Sequence, residues 1–213
     1  MNKLVISLAV LLLAITACHS GSKNKKATSS EPEIETIVLN DSVKRHLIIK
    51  GSSIAKQVAA VLQKNLKKAI KKDGFDHAVD FCHKRAGFIT DSMSQVLNVK
   101  VKRVAKKYRN SFNETTPQES DIYKNYIINW LDGRSVSPRI IPDENGNPVF
   151  YGMIFINKKA CLNCHGTVGK ELPIERAEKI KKYYPDDKAV NFKKGEPRGM
   201  WVITFPEYKV AQE

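Results

Sequence analysis

From Ser52 to Leu97 apolar side chains return every three or four positions, with one break at Gly74. A repeat of that length is helical, and the glycine divides it in two. Ser52 or Ser53 stands where an N-cap is needed. Ile54, Val58, Val61, Leu62, Leu66, Ala69 and Ile70 mark one face of the first helix. Phe75, Val79, Cys82, Ala86, Ile89 and Met93 form the stripe of the second. The chain is therefore expected to begin its fold with an N-terminal helical pair.

Extended patterns follow. In "NVKVKRVAKKY", Val99 and Val101 alternate with lysines, as in a half-buried strand. "TTPQESDIYKNYIINWLDG" is a helix, with Thr116 as cap, Pro117 at the first position and Glu119 closing a capping box. Its apolar face carries Ile122, Tyr126, Ile127, Trp130 and Leu131, and Gly133 ends it. "RIIPDENGNPVFYGMIFIN" is two extended runs around Asn145-Gly146, a hairpin signal. "PIERAEKIKKYY" reads as a short helix and "RGMWVITF" as a last strand. Helices first, then strands with helical insertions, give an α+β domain around an antiparallel sheet.

The N-terminus fixes the compartment. "MNKLVISLAVLLLAITAC" has Lys3, an apolar run from Leu4 to Ala14, then small residues, the order of a secretory signal. The run is too short to span a bilayer comfortably. "ITAC" is similar to a bacterial lipobox, in which Cys18 carries lipid and becomes the first mature residue; several acyl chains give lasting membrane attachment. Residues 1–17 are then a lipoprotein signal peptide. Residues 18–40, polar and poor in large apolar side chains, are a flexible tether, and 41–213 form the folded domain. His19 rather than aspartate after Cys18 favours the outer membrane over the inner. The expected location is the cell envelope, facing the periplasm.

The net charge is +14, much of it lysine on helical faces such as "QKNLKKAIKK". Such runs are solvated polar faces in most proteins, and otherwise attract acidic partners or anionic lipid. An exported chain without a nucleic-acid-binding motif is not expected to bind nucleic acid.

In an exported chain the run Cys161-Leu162-Asn163-Cys164-His165 reads as the attachment signature of c-type haem. Two thiols add to the porphyrin vinyl groups, and the adjacent histidine binds iron from one face. A thioredoxin-like pair would open a helix in a βαβ frame, which is lacking. A zinc site would need a fourth ligand in a closed set. The opposite face of the iron can be filled by Met153 or Met200, or by His46, His77 or His83. Cys82 has no partner left, and an unpaired thiol in an oxidising compartment needs a reason. It lies on the apolar stripe, with His83 about 100° further round the helix. Cys82 is either a small buried hydrophobe or a thiolate ligand to iron.

These residues bear a resemblance to a known family. "AVDFCHKRA", "RVAKKYRNSFN", "CLNCHG" and "YYPDDKAVNFKKGEPRG" fall in the order of the PAS-like, single-haem c-type domain of bacterial redox and sensory proteins. The match spans about residues 50 to 205. Ser111 stands where that family's motif has proline, and Asn191 and Phe192 where it has Gly-Tyr. The resemblance implies a PAS-like α+β fold, one covalent haem c, and iron held by His165 and Cys82 together. Arg103, Arg109 and Arg198 are candidates to pair with the haem propionates, and each is equally a candidate for a structural ion pair. A thiolate ligand stabilises ferric iron and lowers the potential. The expected function is low-potential one-electron transfer with a redox partner protein, for which an acidic surface fits. The alternative is a redox or gas-ligand sensor passing its signal to another protein. No enzymatic constellation is visible beyond the haem site.

Overall fold

The apolar repeat folds as one continuous element, helix α1 (Asp41–Val96), in the computed structural model, which describes residues 34–211. The expected break is real: Gly74 takes φ 70°, a left-handed conformation that glycine reaches without strain, and the helix kinks there into two segments. The start differs from expectation. Asn40, not Ser52 or Ser53, is the N-cap, its side chain accepting from the Val43 amide. Gly51, just before the expected cap, lies buried inside the helix. A Cβ there would collide with the Phe150 ring, so glycine is kept to let helix and sheet approach.

The rest of the chain supplies a four-stranded antiparallel sheet in the order β2-β5-β4-β3, from β2 (Lys100–Val104), β3 (Arg139–Pro142), β4 (Pro148–Phe155) and β5 (Pro197–Thr204). The chain is therefore a mixed α+β fold. Side chains alternate across the sheet, as strand geometry requires. Val101, Ile140, Phe150 and Ile203 pack under α1 with Leu47, Ile54 and Val58. Val104, Val149, Tyr151, Met200 and Val202 face the other way, against Ile122, Tyr123 and Tyr126 of α2 (Pro117–Leu131). Each large apolar side chain so buried contributes about 1.5–3 kcal/mol.

The local signals fold as expected. Thr116 and Glu119 close the capping box of α2, with Pro117 at its first position. Gly146, at φ 74°, turns the β3–β4 hairpin, its amide donating to the Asp143 carbonyl. The tether reading requires a correction. Within residues 18–40, β1 (Glu35–Ile37) pairs in parallel with β6 (Tyr208–Val210). Ile37 and Leu39 also pack against the α1 core cluster, so order begins before Asp41. The signal peptide and Cys18 lie outside the described residues. Among the described residues no helix is long and apolar enough to cross a membrane.

Candidate functional site

Beyond β4 the chain enters a short helix, α3 (Lys159–His165), which carries the whole Cys-x-x-Cys-His run. Three-residue spacing puts Cys161 and Cys164 on one helical face. Both thiols are free and half-buried. Gly166 follows because the chain must turn at once: a Cβ there would meet the Leu162 carbonyl oxygen at 2.6 Å and Glu171 Cβ at 2.7 Å. The loop after α4 (Ile174–Tyr183) closes over the motif. Amides of Asn191 and Phe192 donate to the carbonyls of Gly166 and His165, each at 2.9 Å.

That loop also fixes the imidazole. His165 Nδ1 lies 2.9 Å from the Ala189 carbonyl oxygen, so Nδ1 carries the proton and Nε2 keeps its lone pair. Burial, and then the guanidinium groups of Arg198 and Arg109, hold the ring well below its usual titration range. It is a neutral imidazole with one free nitrogen, the form that binds metals.

Cys82 reaches the same place from α1. Val79, one helical turn earlier, packs with Cys164, Leu172, Ile180 and Tyr184. Burial first, and then the neighbouring Cys164, push the Cys82 thiol up to about 11, while Arg103 and Arg109 pull the other way. Without a metal this thiol is protonated and inert; a bound cation would be needed to ionise it. The other sequence candidates lie elsewhere. Met200 is fully buried in the α2-side core, with Met153 packed against the same cluster. His83 is exposed and stacks on Tyr183 at 4.3 Å between ring centres. His46 is exposed near the start of α1, and His77 is half-buried. Among the described residues no three of His, Cys, Asp and Glu converge on one point.

Three arginines gather here with one carboxylate between them. Arg109 is occupied by the protein: Nη2 donates to the carbonyls of Cys164 (2.6 Å) and Ala189 (3.1 Å), and Nε pairs with Asp187 Oδ1 at 3.2 Å. It is a strut joining α3 to the closing loop. Arg198 is different. Its Nη1 reaches the Lys107 carbonyl at 3.1 Å, but its Nε is buried with no partner. Burial and then the charge of Arg109 lower it to about 10. Arg103 has only the Thr90 hydroxyl, at 3.5 Å, and burial lowers it as well. Unpaired buried guanidinium groups are costly, and Arg198 beside the neutral imidazole, with Arg103 beside Cys82, fits an anionic group brought in with a ligand.

Asp187 and Ala189 were missed in sequence. Asp187 is 78 positions from its partner Arg109, and Ala189 acts through its backbone, so neither leaves a local pattern.

Fold and site together define an α+β domain that holds a Cys-x-x-Cys-His helix against a helix-borne cysteine, beside an arginine cluster. The Tll0287-like family model matches residues 40–206, and the chain belongs to the Tll0287-like family. Among solved structures, the cyanobacterial haem protein Tll0287 is similar at 25% identity, over 59% of this chain and 72% of that one, with a TM-score of 0.47. No curated protein matches the chain.

Proposed function

We propose that the chain is a c-type haem protein of the cell envelope that carries single electrons at low potential. The observation that carries this reading is the pairing of the Cys-x-x-Cys-His helix with an imidazole whose Nδ1 is already bound, leaving Nε2 for iron. The family's name points the same way, since the solved structure bearing it is of a haem protein.

In this reading Cys161 and Cys164 would hold one haem by thioether bonds, and His165 and Cys82 would bind its iron. Arg198 and Arg103 meet the propionates, answering the unpartnered Nε of Arg198. Haem supplies a one-electron iron couple, and thiolate ligation favours its ferric state. The chain's own residues do the rest. Ala189 fixes the ring of His165, Val79 and Tyr184 pack beside Cys164, and Arg109 locks the motif helix to its loop. A PAS-like sheet belongs to the same proposal, as do the lipid on Cys18, the periplasmic face and an acidic redox partner.

The test is direct. Purified protein should show c-type absorption bands and keep its colour through acid–acetone extraction; colour that extracts rejects covalent attachment. Reversible one-electron cycling without carbon monoxide binding supports a carrier. Rapid binding of carbon monoxide by the reduced form would instead favour the sensor.

A further inference from the structure

Six lysines on two tied loops and one β-strand exit surround the site just described. Lys106 and Lys107 follow β2, Lys158 and Lys159 open α3, and Lys193 and Lys194 lie between α4 and β5; all six are exposed. Hydrogen bonds hold these segments together. Gly195 donates to the Ile156 carbonyl, Ile156 to the Glu196 carbonyl, and Arg198 Nη1 to the Lys107 carbonyl. The surface reaches the site by a short path. Lys107 Nζ sits 4.3 Å above the Phe192 ring, whose centre is 6.2 Å from that of His165. Next to these lysines, within residues 156–159 and 193–196, the one carboxylate is Glu196, which accepts from the Lys193 amide at 2.9 Å; Asp186 and Asp187 lie earlier in the same loop. Beside Lys106 and Lys107, on the loop closed by the Ala105–Asn113 hydrogen bond, Phe112 is 90% exposed. An exposed aromatic can anchor a docked protein, and a surrounding field of one sign steers an oppositely charged partner onto it.

We propose that this lysine face docks an acidic electron-transfer protein over the site. The inference rests on the haem reading above. A membrane is the competing occupant; the short path from Lys107 through Phe192 to His165 favours a protein that exchanges electrons with the site. The chain enters through β1, which pairs with β6 near the hairpin turn, where Val210 donates to the Gly146 carbonyl. The lysine face lies at the opposite end of β4 and β5, where Phe155 pairs with Pro197. Strands of that length put about 20 Å between the two ends. The face and the point where the described chain enters the fold thus lie at opposite ends of the sheet.

The experiment compares two triple variants of the full chain with equal charge change. One is Lys106→Glu, Lys193→Glu, Lys194→Glu on the face; the other is Lys67→Glu, Lys68→Glu, Lys71→Glu on the exposed side of α1. Poly-L-glutamate is the binding probe, and its readout does not depend on haem. The face variant should weaken binding at least about tenfold at low salt, and the α1 variant less than about threefold. Equal losses would show only whole-molecule charge and overturn the proposal. In coloured protein, ferricyanide takes one electron from ferrous iron and becomes ferrocyanide. That oxidation should slow by a similar factor in the face variant alone, and converge with wild type at high salt. Unchanged rates would overturn the proposal while leaving haem binding intact; absent c-type bands would sink the haem reading instead. If the face variant loses binding to phosphatidylglycerol vesicles but not to poly-L-glutamate, the surface is a membrane contact and the proposal fails.

Discussion

His165 Nδ1 and the Ala189 carbonyl oxygen lie 2.9 Å apart, across a loop that returns 24 residues after the motif. One ring nitrogen is thereby fixed as a donor and the other as a lone pair. His165→Ala should keep covalent haem, since Cys161 and Cys164 are untouched, but lose its axial nitrogen. The ferric spectrum should become high-spin, and added imidazole should restore much of the original. A spectrum unchanged by the substitution would mean that iron is held elsewhere.

Cys82 gives the second test. Its thiol is pushed up to about 11 by burial, so only a cation can keep it ionised at neutral pH. Cys82→Ala should abolish the low-spin thiolate signature of the ferric protein and raise its reduction potential, because the donor that stabilises ferric iron is gone. Retention of both would return Cys82 to the role of a small buried hydrophobe.

Arg198 carries a prediction of opposite signs in two states. With both motif cysteines changed to serine, the haem-free chain buries an Nε with no partner, at a cost of about 1–3 kcal/mol. Arg198→Met should therefore raise its unfolding midpoint. In the loaded protein the same change removes a cation beside the iron and should lower the potential. Denaturant unfolding and potentiometry read the two effects separately, and a destabilised haem-free variant would show that Arg198 is already satisfied.

Much of this fold was written locally. The Thr116–Glu119 box, the Asn145-Gly146 turn, the Gly74 break and the Cys-x-x-Cys-His run each need only neighbours in sequence. What escaped was set by distant packing. The helix was expected to start at Ser52 or Ser53, yet it runs through Gly51, whose missing Cβ is what Phe150 requires, 99 positions away. The parallel pairing of β1 with β6 joins the two ends of the fold and follows no local rule. At the site, cysteine and histidine spacing announced α3, while the Asp187–Arg109 strut and the Ala189 acceptor depend on a closed loop.

Gly51 makes that argument measurable. In an isolated helix Gly→Ala would stabilise by about 1 kcal/mol. Here the added methyl runs into the Phe150 ring, and overpacking a filled core costs about 1–3 kcal/mol. Steric cost should win, so Gly51→Ala should unfold at lower denaturant than wild type. Adding Phe150→Leu to the alanine variant should recover part of the loss by making room, a non-additivity expected of residues in contact.

Asp80 ties the site-bearing half of α1 to α4. Its Oδ2 lies 2.7 Å from Lys179 Nζ and its Oδ1 2.7 Å from the Tyr183 hydroxyl. Lys179 first, and then Tyr183, hold the carboxyl below its ordinary value of 3.8. A carboxylate that titrates lower in the folded state adds stability above its unfolded value and loses it as pH falls through the folded one. The contribution is therefore full at neutral pH and fades from about pH 4 downward. Solvent screens the pair, which limits it to about 0.5–1 kcal/mol. Asp80→Asn should be less stable than wild type by that amount at about pH 7, and the two should converge near about pH 2. High salt at neutral pH should shrink the gap. An offset that persisted undiminished in acid would assign the clamp to hydrogen bonding with Tyr183 rather than to the charge of Lys179.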